Sequence, residues 1–153
     1  MAVQPIQPGY HSVNIHLCFK DTKKAIEFYA RAFGAEQTMM MPGPGGSVMH
    51  AEIRIGDTVL FLADDMMQMN ATVDGGQGTA FIPHLAVADA EATWKRAIDA
   101  GCKEVMPLAD QIWGDRYGQV VDPFGMRWAI LTHIEDVSIE EIGKRAARMF
   151  GGG

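Results

Sequence analysis

His16 and His84 are the two side chains around which chemistry could be organised. Each is followed by leucine and, five positions on, by an aspartate, Asp21 or Asp89. Each aspartate precedes a helical pattern that stops at a glycine, Gly34 or Gly101, and the interval between the paired residues agrees to within one position. The histidines therefore hold equivalent places in a duplicated unit. An imidazole there could ligate a metal, move a proton near neutral pH or orient a ligand. His50 and Glu52 alternate on one face of a strand pattern and could work as an acid-base pair or offer two metal donors. Cys18 lies two positions beyond His16, on the same strand face, but nothing nearby in sequence would lower its pKa, so it reads as an inert thiol. In Trp113-Gly114-Asp115-Arg116-Tyr117-Gly118, Arg116 could grip an anionic group while Trp113 and Tyr117 stack on a ligand. Pairing of Asp115 with Arg116 to hold a long loop explains the same residues equally well. His11 and His133 read as surface histidines.

The elements that must position these groups follow from periodicity. Val13, Ile15, Leu17 and Phe19 alternate with Asn14, His16 and Cys18, the pattern of a half-buried strand. Asp21 caps a helix with Ala25, Ile26, Tyr29, Ala32 and Phe33 on one face, ended by Gly34. Strands follow at 35–41, 49–55 and 58–63, the first two joined through the breaker-rich Pro42-Gly43-Pro44-Gly45-Gly46. The second unit repeats the order: a strand over 81–87, a helix from Asp89 to Gly101, and strands over 102–108, 117–122 and 127–133. Asp122-Pro123-Phe124-Gly125 reads as a plain turn. The units span 13–64 and 80–135. Residues 65–79, with Met66, Met67 and Met69 followed by Gly75, Gly76 and Gly78, read as linker and mobile loop, and 136–150 as a C-terminal helix. Ser138 and Glu141 have the spacing of a capping box. The stripe Ile142, Ala146, Met149 and Phe150 must cover either the protein's own sheet or a second subunit. The expected class is α+β: two tandem βαβββ modules forming a curved, barrel-like mixed sheet with a central cleft, plus that helix.

Composition bounds the function. The 153 residues are 48% hydrophobic and 21% charged, with a formal charge of −6. Scattered basic residues and net negative charge argue against nucleic acid or an anionic membrane as partner. Cys18 and Cys102 form no metal-ligand spacing and read as reduced thiols. No signal-peptide pattern or long apolar run is evident, so a cytoplasmic protein is expected and the Asn70-Ala71-Thr72 sequon is an accident.

Asp21-x-x-x-Ala25-Ile26-Glu27-Phe28-Tyr29-x-x-Ala32-Phe33-Gly34-Ala35-Glu36, followed by Trp113-Gly114-Asp115-Arg116-Tyr117-Gly118-x-Val120-x-Asp122-Pro123-Phe124-Gly125 in a matching duplication, resembles the vicinal oxygen chelate superfamily. This is the group of glyoxalases, bleomycin-resistance proteins and extradiol dioxygenases, and the motifs are closest to its PhnB-like branch. The resemblance covers about residues 13–135. It implies two half-barrels around a cleft with a divalent metal held by one residue from the first and one from the last strand of each unit. Aligned on the aspartates and on Gly56 and Gly125, those positions are Asn14, Leu60, Ile82 and Ala129. Three offer no donor atom, and one amide oxygen does not hold a divalent ion against water. The expectation is a homodimer that binds a small molecule in an apolar cleft without a tightly held metal or other cofactor, as drug-sequestering members do. The alternative is a metal-dependent lyase, isomerase or dioxygenase using a displaced site of His16, His84, His50 and Glu52. Metal-free catalysis by His50 and Glu52, and a pure interaction module, complete the readings.

Overall fold

The computed structural model describes residues 6–12, 14–66, 68, 72–75 and 81–150. Val13 as a strand residue, Met67, Met69, the Asn70-Ala71 part of the sequon, Gly76, Gly78 and the Phe150 side chain lie outside what is described.

The chain runs β1 (Ile15–Phe19), α1 (Thr22–Phe33), β2 (Glu36–Pro42), β3 (Val48–Ile55), β4 (Thr58–Asp64), then β5 (His84–Ala86), α2 (Ala90–Ala100), β6 (Lys103–Asp110), β7 (Asp115–Val121), β8 (Arg127–His133) and α3 (Ile139–Phe150). Two four-stranded mixed sheets result, ordered β1-β4-β3-β2 and β5-β8-β7-β6, with β1 parallel to β4 and β5 parallel to β8. This is the expected α+β pair of βαβββ units with a C-terminal helix.

The duplication extends to how each helix is started. Asp21 Oδ1 accepts from Lys24 N, and Asp89 Oδ1 from Ala92 N, each satisfying a free N–H of the first turn. The first residue of each helix is then tied to the last strand of its sheet: Thr22 N donates to Asp64 Oδ1 at 2.8 Å and Ala90 N to Thr132 Oγ1 at 2.8 Å. Burial pushes the Asp64 carboxyl up, but the N–H groups of Val48 and Thr22 outweigh it and hold it below its usual range.

Strand limits differ from the sequence pattern where pairing decides. The strand expected to start at Tyr117 begins at Asp115, because Asp115 and Arg116 pair with His133 and Thr132 of β8. The strand expected over 81–87 is confined to His84–Ala86, where β5 pairs with β8. Pro83 has no N–H to extend the ladder and contributes only its carbonyl, which accepts from Ala129 N.

Each sheet carries its helix on one face only. Leu17 and Phe19 of β1, Ala51, Ile53 and Ile55 of β3, and Leu60 and Leu62 of β4 pack beneath α1. Trp128 and Ile130 of β8 close the second half, and α1 packs along α2. Gly118 is required beneath α2: a Cβ there would stand 2.7 Å from the Trp94 ring and 2.9 Å from the Leu108 backbone. The described part of the linker folds back on the core, with Val73 buried and Asp74 Oδ1 accepting from Lys20 N.

The C-terminal helix starts as its cap predicts, Glu141 N donating to Ser138 Oγ at 3.1 Å. Glu141 uses its carboxylate on Arg145 and Arg148. Arg145 ties the helix back through both oxygens of Glu135 and the Ile112 carbonyl. Its apolar stripe is only half covered, with Ile142 and Ala146 half-buried, Met149 63% exposed and Ile139, one turn before Ile142 on the same face, 90% exposed.

Candidate functional site on the open sheet faces

The faces turned away from the helices carry the polar groups. In the first unit, β3 presents His50 and Glu52, and the register sets Glu52 opposite Phe61 of β4 and Met39 of β2, and His50 opposite Met41. His16 on β1 pairs with Phe61. Glu52, only 7% exposed, accepts from Tyr10 Oη at 2.7 Å and from His50 Nε2 at 3.2 Å. The Tyr10 and Phe61 rings meet edge to face at 5.7 Å, His50 lies 5.3 Å from Phe61, and His16 lies 6.2 Å from His50. A carboxylate nearly closed off from water is therefore held by a phenol and an imidazole inside an aromatic patch. Hydrogen bonding to Glu52, with burial adding to it, pushes the Tyr10 phenol up. Burial, reinforced by His50, lowers His16, which favours its neutral form. Cys18 shares this face, and burial together with Asp65 raises its thiol, so it is a poor nucleophile.

The second unit builds a separate network. Gln119 Nε2 donates to Tyr117 Oη at 2.8 Å, Tyr117 Oη lies 3.4 Å from His84 Nε2, and His84 Nδ1 lies 2.9 Å from the Ile82 carbonyl. A carbonyl only accepts, so the neutral His84 carries its proton on Nδ1 and presents Nε2 as acceptor to the phenol. Tyr117 stands between the His84 ring at 5.6 Å and the Trp113 ring at 5.4 Å. Trp113 Nε1 donates to Asp115 Oδ2.

The residues singled out from sequence thus divide. His16, Cys18, His50 and Glu52 share the first open face, and His84, Trp113, Tyr117 and Ala129 the second, where Ala129 lies opposite both His84 and Gln119. Arg116 points to the helix side, its guanidinium held by Asp110 and by Glu91 of α2, so it grips the protein's own carboxylates. Leu60 also lies on the helix side, in the core, and its neighbour Phe61 takes the open-face position of β4. Val59-Leu60-Phe61-Leu62-Ala63 is apolar at every position, so its sequence carries no alternation from which a face could be read. Asn14 is occupied locally, exchanging hydrogen bonds with the His11 backbone. Tyr10, Phe61 and Gln119 belong to these networks and were not singled out. Gln119 is the structural counterpart of Glu52 in the repeat: each lies opposite the residue, Ala129 or Phe61, that pairs with His84 or His16.

The fit to a divalent metal is poor within one chain. His84 makes its contacts with Tyr117 and Ile82, while His16, His50 and Glu52 are gathered on the other sheet. Among the described residues no group of three or more His, Cys, Asp or Glu side chains is placed to hold a metal ion. Among them, too, no helix is long and apolar enough to cross a membrane.

Comparison with known proteins places this geometry in context. The model of the Glyoxalase/Bleomycin resistance protein/Dioxygenase superfamily matches residues 11–130. An uncharacterized protein of Mycobacterium tuberculosis is 41% identical over 131 residues, covering 83% of this chain and 77% of that one. The solved structure of an Arabidopsis thaliana gene product aligns with a TM-score of 0.64 at 26% identity, covering 79% of this chain and 98% of that one. TioX from Micromonospora (TM-score 0.63, 23% identity, 82% of this chain and 100% of that one) and the PhnB protein of Bacillus cereus (0.64, 17%, 80% and 99%) share the fold.

Proposed function

The chain belongs to the Glyoxalase/Bleomycin resistance protein/Dioxygenase superfamily, and from that premise we propose that it binds a small molecule on its open sheet faces without a tightly held metal. The observation that carries this reading is the Tyr10–Glu52–His50 cluster beside Phe61, a preformed polar anchor set in an aromatic and methionine-lined surface. Such a surface, apolar with a few fixed polar groups, is what small-molecule recognition requires. Met39 and Met41 on the edge strand add adaptable, polarizable contacts.

The same reading makes the working unit a homodimer in the cytoplasm. Supporting the dimer are the exposed Met39 and Met41 on the open face and the half-covered stripe of α3. Supporting a reducing compartment are two free thiols, Cys18 and Cys102, the second pushed up to about 12 by burial and the nearby Asp122.

Two titrations test the proposal. Calorimetry with Ni, Zn, Mn and Fe(II) salts should give no tight stoichiometric uptake, whereas bleomycin, the drug named in the superfamily's description, should give saturable binding that Glu52→Gln weakens about tenfold. Tight metal binding lost in both His16→Ala and His84→Ala would instead establish the displaced-site lyase, isomerase or dioxygenase. Absence of saturable bleomycin binding would remove the drug-sequestering form of the proposal.

A further inference from the structure

The two units differ at one turn. Ile55 pairs directly with Thr58, leaving only Gly56 and Asp57 between β3 and β4, whereas Val121 pairs with Arg127 and leaves Asp122 to Met126 between β7 and β8. The longer turn drives the Phe124 ring into one end of the seam between the units, 5.6 Å from Phe19, 5.6 Å from Phe28 and 6.0 Å from Tyr29. Pro123 closes that end over Gly101.

At the related end, beneath the short turn, no residue among those described supplies such a ring, and a cavity of about 390 Å³ remains between the units. Its walls include Phe33 and Trp128, whose ring centroids lie 4.8 Å apart, with Leu60 and Leu85. Thr93 and Arg96 of α2 line it where the repeat places Ala25 and Phe28 of α1 at the plugged end. The Arg96 guanidinium is engaged, donating to the carbonyls of Ala30 and Arg31, and Asp57 brings one opposite charge to the lining. The cavity has room for a small molecule, aromatic walls and no surplus of either charge.

We propose that this seam cavity binds a flat, uncharged aromatic molecule of one or two rings, seated where Phe124 sits in the other half. The site is distinct from the open-face anchor, since Tyr10, His50 and Glu52 do not line it; His84, which does, belongs to the second unit's network with Tyr117.

Indole titrated into the full chain and followed by amide and indole N–H resonances tests the assignment. Saturable shifts are expected at Phe33, Leu85, Thr93 and the Trp128 indole, with a dissociation constant of about a millimolar or tighter and a rise in Tm. Thr93→Phe, which supplies the missing ring from α2, should weaken indole about tenfold or more. Phe61→Ala, which alters only the open face, should leave indole binding unchanged while affecting bleomycin. Shifts confined to Tyr10, His50 and Phe61, absence of saturation, or full affinity in folded Thr93→Phe would each overturn the proposal. If Thr93→Phe does not fold, the shift map of the unaltered chain decides alone.

Discussion

Tyr29 Oη donates to Asp122 Oδ2 at 2.7 Å across the joint between the two βαβββ units. The tyrosine comes from α1, the aspartate from the turn after β7, and the aspartate is only 4% exposed. Trp128 Nε1 donates to the same oxygen, while the backbone N–H groups of Phe124 and Met126 donate to Oδ1. One carboxylate therefore shapes the turn that inserts Phe124 and fastens the second unit to the first helix.

Asp122→Ala should cost about 3 kcal/mol or more, because it leaves four donors without their acceptor in a buried site. Tyr29→Phe should cost about 1.5 kcal/mol, the worth of one hydrogen bond to a charged group. Burial raises the Asp122 carboxyl against these donors. A folded value above the unfolded one means that stability falls as pH rises from about 3.9 through the folded value and is level above it. Removing the Tyr29 hydroxyl removes one of the opposing donors and widens that window. Urea midpoints of the two variants across pH 3–8 check both the size and the sign.

His16 should titrate below the ordinary histidine value, because burial and then His50 disfavour its cation. Its contribution to stability is complete above about pH 6.5 and declines as pH falls below it, since the unfolded chain takes up the proton more readily. His50→Gln removes the neighbouring charge and should move His16 part of the way back. Histidine ring proton shifts followed against pH in both proteins provide the measurement, and an unmoved His16 would show that burial alone sets it.

His133 should behave in the opposite sense. Its Nε2 lies 2.7 Å from Asp136 and its Nδ1 2.7 Å from Asp115. A neutral ring has one N–H and can serve only one carboxylate, so the bridge is complete only in the cation. The hydrogen bonds to Asp136 and then Asp115 raise its pKa accordingly. The stabilisation is present below about pH 6.5 and is lost as pH climbs through the folded value. Asp115→Asn should lower the His133 titration, loosen the segment leading to α3 and leave His16 unchanged, all visible in one set of NMR titrations.

The arrangement of elements was legible because the information is local and repeated. Asp21 and Asp89 as caps, Gly34 and Gly101 as stops, and alternation along β1 and β3 identify the units and which residues share a strand face. His50 and Glu52 could be placed on one face for that reason. Tyr10 could not, because its role depends on a lead-in segment crossing to a glutamate 42 positions away.

Sequence by itself determined the duplicated βαβββ pattern, the family and the chemical types available on each strand. Tertiary structure decided which of those groups meet. It separated His84 from His16, His50 and Glu52, turned Arg116 to Asp110 and Glu91, sank Leu60 into the core, and made the plain-looking Asp122 turn the joint of the molecule. The physical reason is that capping and alternation are settled by neighbours within a few residues. The face of an all-apolar strand, the partner of a long side chain and the filling of a seam are settled only when distant segments pack together.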